Sequence, residues 1–249
     1  MHTTTIRQLN QLNRDFYQQT SQSFHQSRQY FWEGWDRLKP YLLSATKQTP
    51  PATVVDMGCG SGRFADFIAE TLPTKNWQYL GLDMSQALLT LATETHPEPA
   101  INFESFDLVT FLQGESPVAI PPATVLSCFG VTHHIPSQQL RSVLLSKLSQ
   151  LLQPDGIICI SFWQFMDEQR YQDKVVPATS VGISPTELEP HDYILDWQRG
   201  STAYRYCHYW DEAEISDCVT TSGLTVLDDF RADSKSGQAN RYLVLQKQL

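Results

Sequence analysis

Apolar residues in the first fifth of the chain recur at helical spacing. Phe16, Tyr17, Phe24, Phe31, Trp32, Trp35 and Leu38 fall three, four and seven apart with few breakers, which predicts helix over residues 5–46. Lys39-Pro40 and "TPPAT" then punctuate the chain. Beyond them the rhythm changes. Short apolar runs at 53–57, 77–83, 101–106, 124–131 and 157–163 read as strands. Between them, amphipathic stretches at 63–72, 85–95, 109–112 and 137–153 read as helices, with Ser85 a cap for the second. Regular alternation of strand and helix predicts an α/β chain with a parallel, doubly wound sheet. The alternation lapses over 164–200, a polar, Pro-containing stretch that predicts a long loop. It resumes with a helix at 211–222 and strands at 225–232 and 241–246. The link at 233–238 is hairpin-like, so the last pair is expected to be antiparallel.

Composition narrows the function classes. A chain of 249 residues with 41% hydrophobic content can bury a substantial core in one domain, or one domain with a smaller cap. No window holds about 18 consecutive apolar residues, and the polar start "MHTTTIRQLNQLNRDFY" lacks a signal core, so neither a membrane span nor a secretory leader is expected. The cysteines, Cys59, Cys128, Cys159, Cys207 and Cys218, are odd in number and scattered. They read as reduced, buried thiols of a cytoplasmic protein, not a disulfide frame or metal site. A formal net charge of -9 lacks the broad positive footprint of nucleic-acid binding. Residues 1–50 run against that average, with six Lys/Arg against three acids, which reads as a solvated helix face.

The candidate chemistry begins at "VVDMGCGSGRFADF", where Asp56 precedes Gly58, Gly60 and Gly62. A strand entering a helix through glycines exposes backbone N–H groups and lets a ligand approach closely. The spacing is not the GxGxxG of a dinucleotide turn, and a glycine cluster can also be purely structural. "YLGLDMS" adds Asp83 at the next strand end, about twenty residues on, where an acid can accept both ribose hydroxyls. "FESFDL" places Asp107 and Leu108 at the third strand end, a polar edge and an apolar face for a purine.

Together these segments resemble the three motifs of class I S-adenosylmethionine-dependent methyltransferases. The resemblance implies a Rossmann-like seven-stranded sheet of order 3-2-1-4-5-7-6 over residues 51–249, an N-terminal helical lid at 1–50 and a substrate-side insert at 164–210. It implies that Gly58, Gly60 and Gly62 line the methionine end of S-adenosylmethionine, with Asp56, Cys59 and Arg63 also in the cofactor site. Asp83 then holds the ribose with Met84 beside it, and Asp107 and Leu108 flank the adenine. Cys128, Phe129 and Gly130 are candidates to line the cofactor from the fourth strand.

Near the methyl group, "SCFGVTHHIP" offers His133 and His134 as bases, although either can instead cap the next helix or bond the backbone. "YRYCHYW" offers Arg205 as a bidentate grip on a carboxylate or phosphate, or as an Arg stacked for packing. "SRQYFWEGWDRL", "QDKVVPA" and "YRYCH" are similar to the tRNA wobble-uridine carboxymethyl-ester methyltransferases. That likeness implies that Tyr17, Arg28 and Trp32 close over the cofactor, that Arg205 meets a substrate carboxylate, and that a small activating subunit takes part. Residues 165–210 depart from it, with four Lys/Arg against seven Asp/Glu, a balance that repels a phosphate backbone. The acceptor expected is therefore a small molecule or tRNA. A non-catalytic S-adenosylmethionine-binding module is the alternative reading, and the glycine spacing disfavours a nicotinamide-dependent dehydrogenase.

Overall fold

The computed structural model describes residues 1–27, 30–48, 50–72, 76–115, 118–197 and 202–247. The chain starts with helices α1 (Thr3–Gln26), α2 (Glu33–Asp36) and α3 (Lys39–Gln48). It continues through β1 (Ala52–Met57), α4 (Arg63–Thr71), β2 (Trp77–Asp83), α5 (Gln86–Thr95), β3 (Ile101–Ser105), α6 (Leu108–Leu112) and β4 (Ala123–Cys128). Helices α7 (Gln138–Ser142) and α8 (Leu144–Gln150) lead to β5 (Leu152–Trp163) and α9 (Gln169–Gln172). The last third holds β6 (Val175–Val176), β7 (Asp192–Trp197), β8 (Ala203–His208), α10 (Glu212–Ser222), β9 (Thr225–Ala232) and β10 (Asn240–Gln246).

The main sheet runs β3-β2-β1-β4-β5-β10-β9, the order the motifs imply. Its pairs are parallel except at β10, which is antiparallel to both β5 and β9. Strand periodicity divides the interior into two layers. Val55, Met57, Ile158 and Ile160 face α6, α7, α8 and α10, with Leu145, Leu148 and Ile215 among the partners. Val54, Ile157 and Cys159 face α2, α3 and α4, where Trp35, Leu42, Phe64 and Phe67 close the core. Helices on both faces make the sheet doubly wound. No helix among the described residues is long and apolar enough to cross a membrane.

Four stretches differ from the sequence reading. The helix expected over 5–46 is three helices, and Pro40 lies in the first turn of α3, where its missing N–H costs nothing. The helix expected over 137–153 breaks at Val143. There the Arg141 carbonyl accepts from the Cys218 thiol at 3.5 Å. Strand β4 stops at Cys128, and Phe129–Val131 turn into a 3-10 segment, Thr132–His134. The stretch expected to be a long loop holds β6 and β7, which with β8, just beyond it, form a second, three-stranded antiparallel sheet.

That second sheet was hidden because several of its buried positions are polar and take partners distant in sequence. His208 lies between Asp192, 2.7 Å from Nδ1, and Glu214, 2.7 Å from Nε2. Arg141 donates to Glu214 at 2.6 Å and Glu189 at 3.2 Å. Burial pulls the His208 pKa down, but the bonds to Asp192 and Glu214 outweigh it and the net direction is up. The network joins β7 and β8 to α7 and α10. On the other side, α1 packs along β8, and Asn13 Oδ1 accepts from the Tyr206 N–H at 2.8 Å.

Candidate functional site

The carboxyl ends of β1, β2, β3 and β4 meet where the strand order reverses, the usual ligand crevice of such sheets. Here they open on a cavity of about 730 Å³, within the roughly 300–1,000 Å³ range of ligand clefts. Helix α1 crosses one side of it, contributing Asn10, Tyr17 and Phe24, while Trp163, Trp197 and Arg205 line another part.

At the glycine turn, the Gly58 and Cys59 N–H groups donate to Leu82 O at 2.7 and 3.1 Å, tying the loop to β2. Gly58 has φ +78°, and a Cβ there would lie 2.9 Å from Val131 Cβ. Only glycine lets the β1 and β4 ends approach so closely. The Gly60 N–H donates to Asp83 Oδ2 at 2.9 Å. Asp83 Oδ1 accepts from the Ser85 N–H at 2.8 Å. Each carboxylate oxygen keeps lone-pair capacity beyond these bonds, and Asp83 lines the cavity. Burial in the cleft raises the Asp83 pKa against its backbone hydrogen bonds.

Asp56 is buried under this loop and accepts from Tyr79 Oη and Ser127 Oγ, both at 2.6 Å. Burial pushes its carboxyl up to about 6 despite those bonds. The sign of the stability effect follows from the direction of the shift. The folded protein holds the proton more tightly than the unfolded chain, so stability falls as pH rises from about 4 to about 6, by about 3 kcal/mol. Asp56→Asn keeps both hydroxyls partnered and should remove this slope. Urea unfolding at pH 4 to 7 would measure it. Parallel profiles for the two proteins would mean that the carboxyl is not shifted.

Most of the residues singled out in the sequence line the cavity: Tyr17, Trp32, Asp56, Gly58, Cys59, Gly60, Arg63, Asp83, Met84, Asp107, Leu108, Phe129, Gly130, His133, His134 and Arg205. Two do not. Gly62 starts α4 with φ +87°, and its missing Cβ makes room for His96 at 2.7 Å and Phe103 at 3.0 Å, away from the cleft. Cys128 points into the core beside β5, as strand alternation requires. Arg28 lies outside the described residues. The sequence reading missed Asn10, Phe24, Trp163 and Trp197. For α1 the available signal was the seven-residue spacing of Asn10, Tyr17 and Phe24, which keeps them on one helix face.

The two histidines differ in their surroundings. His134 Nδ1 is 2.8 Å from Tyr206 O. A carbonyl only accepts, so Nδ1 carries the proton, and in the neutral ring Nε2 accepts from Tyr17 Oη at 2.8 Å. His133 packs its ring 4.9 Å from Trp163. Side-chain atoms of His133, His134 and Cys207 lie within 4.8 Å of one another. Three features make this a poor cation site. Both His134 nitrogens are engaged, burial pushes the Cys207 thiol up to about 12, and Arg205 shares the strand face of Cys207.

Arg205 is 6% exposed. Its guanidinium lies over Trp163 at 4.9 Å, Phe16 at 5.2 Å and Trp197 at 5.9 Å. Nε is buried without a hydrogen-bond partner, and no ion pair to Arg205 is found among the described residues. Burying an uncompensated charge is costly, and Arg205 lines the cavity. The arrangement suits a planar anion gripped between aromatic walls.

A family model described as a methyltransferase domain matches residues 24–229. The probable tRNA methyltransferase 9B of Bos taurus is 24% identical over 166 residues, 66% of this chain and 32% of that one. The trans-aconitate 2-methyltransferase of Methylobacterium nodulans is 28% identical over 139 residues, 55% of this chain and 49% of the relative. The chain thus spans less than half the length of these curated relatives. Among solved structures, magnesium protoporphyrin IX methyltransferase from Synechocystis, with bound S-adenosylmethionine, superposes with TM-score 0.59 at 16% identity, covering 94% of each chain.

Proposed function

Because the chain belongs to the methyltransferase domain family, whose class I fold takes its methyl group from S-adenosylmethionine, we propose that it methylates the carboxylate of a small acceptor. The carrying observation is Arg205, a guanidinium on the cavity wall whose Nε is buried without a hydrogen-bond partner and for which no ion pair is found among the described residues. The donor fits the other end. Asp83 keeps two acceptor oxygens for ribose hydroxyls, the Gly58–Gly60 turn allows close approach, and Asp107 and Leu108 border the purine position. The helices before residue 50 form the lid, with Tyr17 and Trp32 over the donor.

S-adenosylmethionine supplies a methyl group on a positively charged sulfur, open to in-line displacement. The protein contributes alignment and exclusion of water. Arg205 orients the acceptor by its carboxylate, and the aromatic rings around the guanidinium keep the contact dry. A carboxylate is already ionised, so no group needs to take a proton from it. That agrees with a His134 held by Tyr17 and the Tyr206 carbonyl. His133 remains at the wall as a positioning residue.

The relatives' names carry two acceptor classes, a polycarboxylate and tRNA. The excess of acids in the insert favours the small molecule. Binding of S-adenosylhomocysteine in the micromolar range, about -8 kcal/mol, is expected by calorimetry. The purified protein with methyl-labelled donor should then label small carboxylic acids as esters that release methanol in mild alkali. Alkali-stable label would sink the carboxylate reading, and label in bulk tRNA instead would favour a carboxylate on tRNA. Binding without transfer to any acceptor would favour the non-catalytic module.

A further inference from the structure

Asp107 is full. Its Oδ1 accepts from the Val109 and Thr110 N–H groups at 2.9 and 3.2 Å, capping α6. Its Oδ2 accepts from Asn10 Nδ2 at 2.7 Å and from Arg14 Nη2 at 2.8 Å. A carboxylate offers about four lone-pair positions, so none is left for a ligand. The acid at the third strand end is therefore a support, and its two side-chain donors come from α1, one turn apart on the same helix face.

We propose that Asn10, not Asp107, reads the 6-amino group of the donor's adenine. This rests on the reading of the cleft as an S-adenosylmethionine site. The orientation of the Asn10 amide is chemically forced. An ionised carboxylate can only accept, so the amide must turn its nitrogen to Asp107, and its carbonyl oxygen is the end left over. No hydrogen bond to that oxygen is found among the described residues, and Asn10 lines the cavity together with Met84, Leu108 and Val109. An amide oxygen beside an apolar face accepts from an exocyclic amine. A 6-oxo purine would present another acceptor there, and two facing acceptors repel and leave both unpaired. Asn10 thus determines base specificity, while Asp107 and Arg14 are positioning residues that lock its amide.

The test compares S-adenosylhomocysteine with S-inosylhomocysteine, which differs in carrying oxygen at position 6. Calorimetry on the wild type should show the adenosyl compound binding at least about tenfold more tightly. In Asn10→Leu, which keeps the branched shape of the side chain and does not lower helix propensity, adenosyl affinity should fall about tenfold while inosyl affinity barely moves, so the preference collapses. A thermal melt close to wild type shows that the variant is folded. A preserved preference overturns the proposal, and so does an equal loss for both ligands, which would mark Asn10 as merely structural. A wild type that binds neither compound refutes the donor reading itself, and this inference with it.

Discussion

Replacing Arg205 with methionine is expected to lower kcat/KM for the carboxylate acceptor by a factor on the order of 10²–10³, with the affinity for S-adenosylhomocysteine unchanged. Removing one partner of a desolvated, charge-assisted pair costs about 3–4 kcal/mol, which corresponds to that factor. The same substitution should leave stability unchanged or raise it. The wild-type protein buries a charge for which no ion pair is found among the described residues, and an apolar chain of similar length fills the slot between Phe16, Trp163 and Trp197. The two results together are diagnostic. An Arg present for packing alone would lose stability on replacement and leave kcat/KM nearly intact for whatever protein still folds. Arg205→Lys keeps the charge but loses the planar fork, so it should recover only part of the activity.

Asp83→Ala should act at the opposite end. It removes the acceptor oxygens proposed for the ribose hydroxyls and strands the Gly60 and Ser85 N–H groups, so S-adenosylhomocysteine binding should weaken by about 1–3 kcal/mol. That corresponds to roughly five- to 150-fold. In contrast to Arg205, the loss should appear in donor affinity, and saturating donor should restore much of the rate. Isothermal titration of both variants separates the effects. Unchanged donor affinity in Asp83→Ala would remove the ribose assignment.

The main sheet was legible because it obeys local rules. Buried parallel strands are short apolar runs, and the glycine turn and Asp83 sit at strand ends that periodicity locates. The second sheet was not legible, because Asp192, Arg205 and His208 break its apolar alternation. His208 is accommodated only by Glu214 and Asp192 once the chain has folded. Cys128 and Gly62 show the same limit at single-residue scale. Closeness to a motif places a residue near the cleft, but strand alternation turns Cys128 inward and the start of α4 turns Gly62 toward His96. Asn10 was invisible for another reason. Its significance depends on an acid 97 positions away being already saturated.

Helix α1 touches Asp107 through Asn10, the edge of β8 through Asn13, His134 through Tyr17 and the glycine loop through His25, whose Nδ1 is 2.8 Å from Ser61 Oγ. One helix therefore contacts both ends of the cleft. If the helix lifts to exchange the nucleoside, Phe16 also leaves the guanidinium of Arg205. On the proposed reading, donor and acceptor would then share one door, and the two products would leave together.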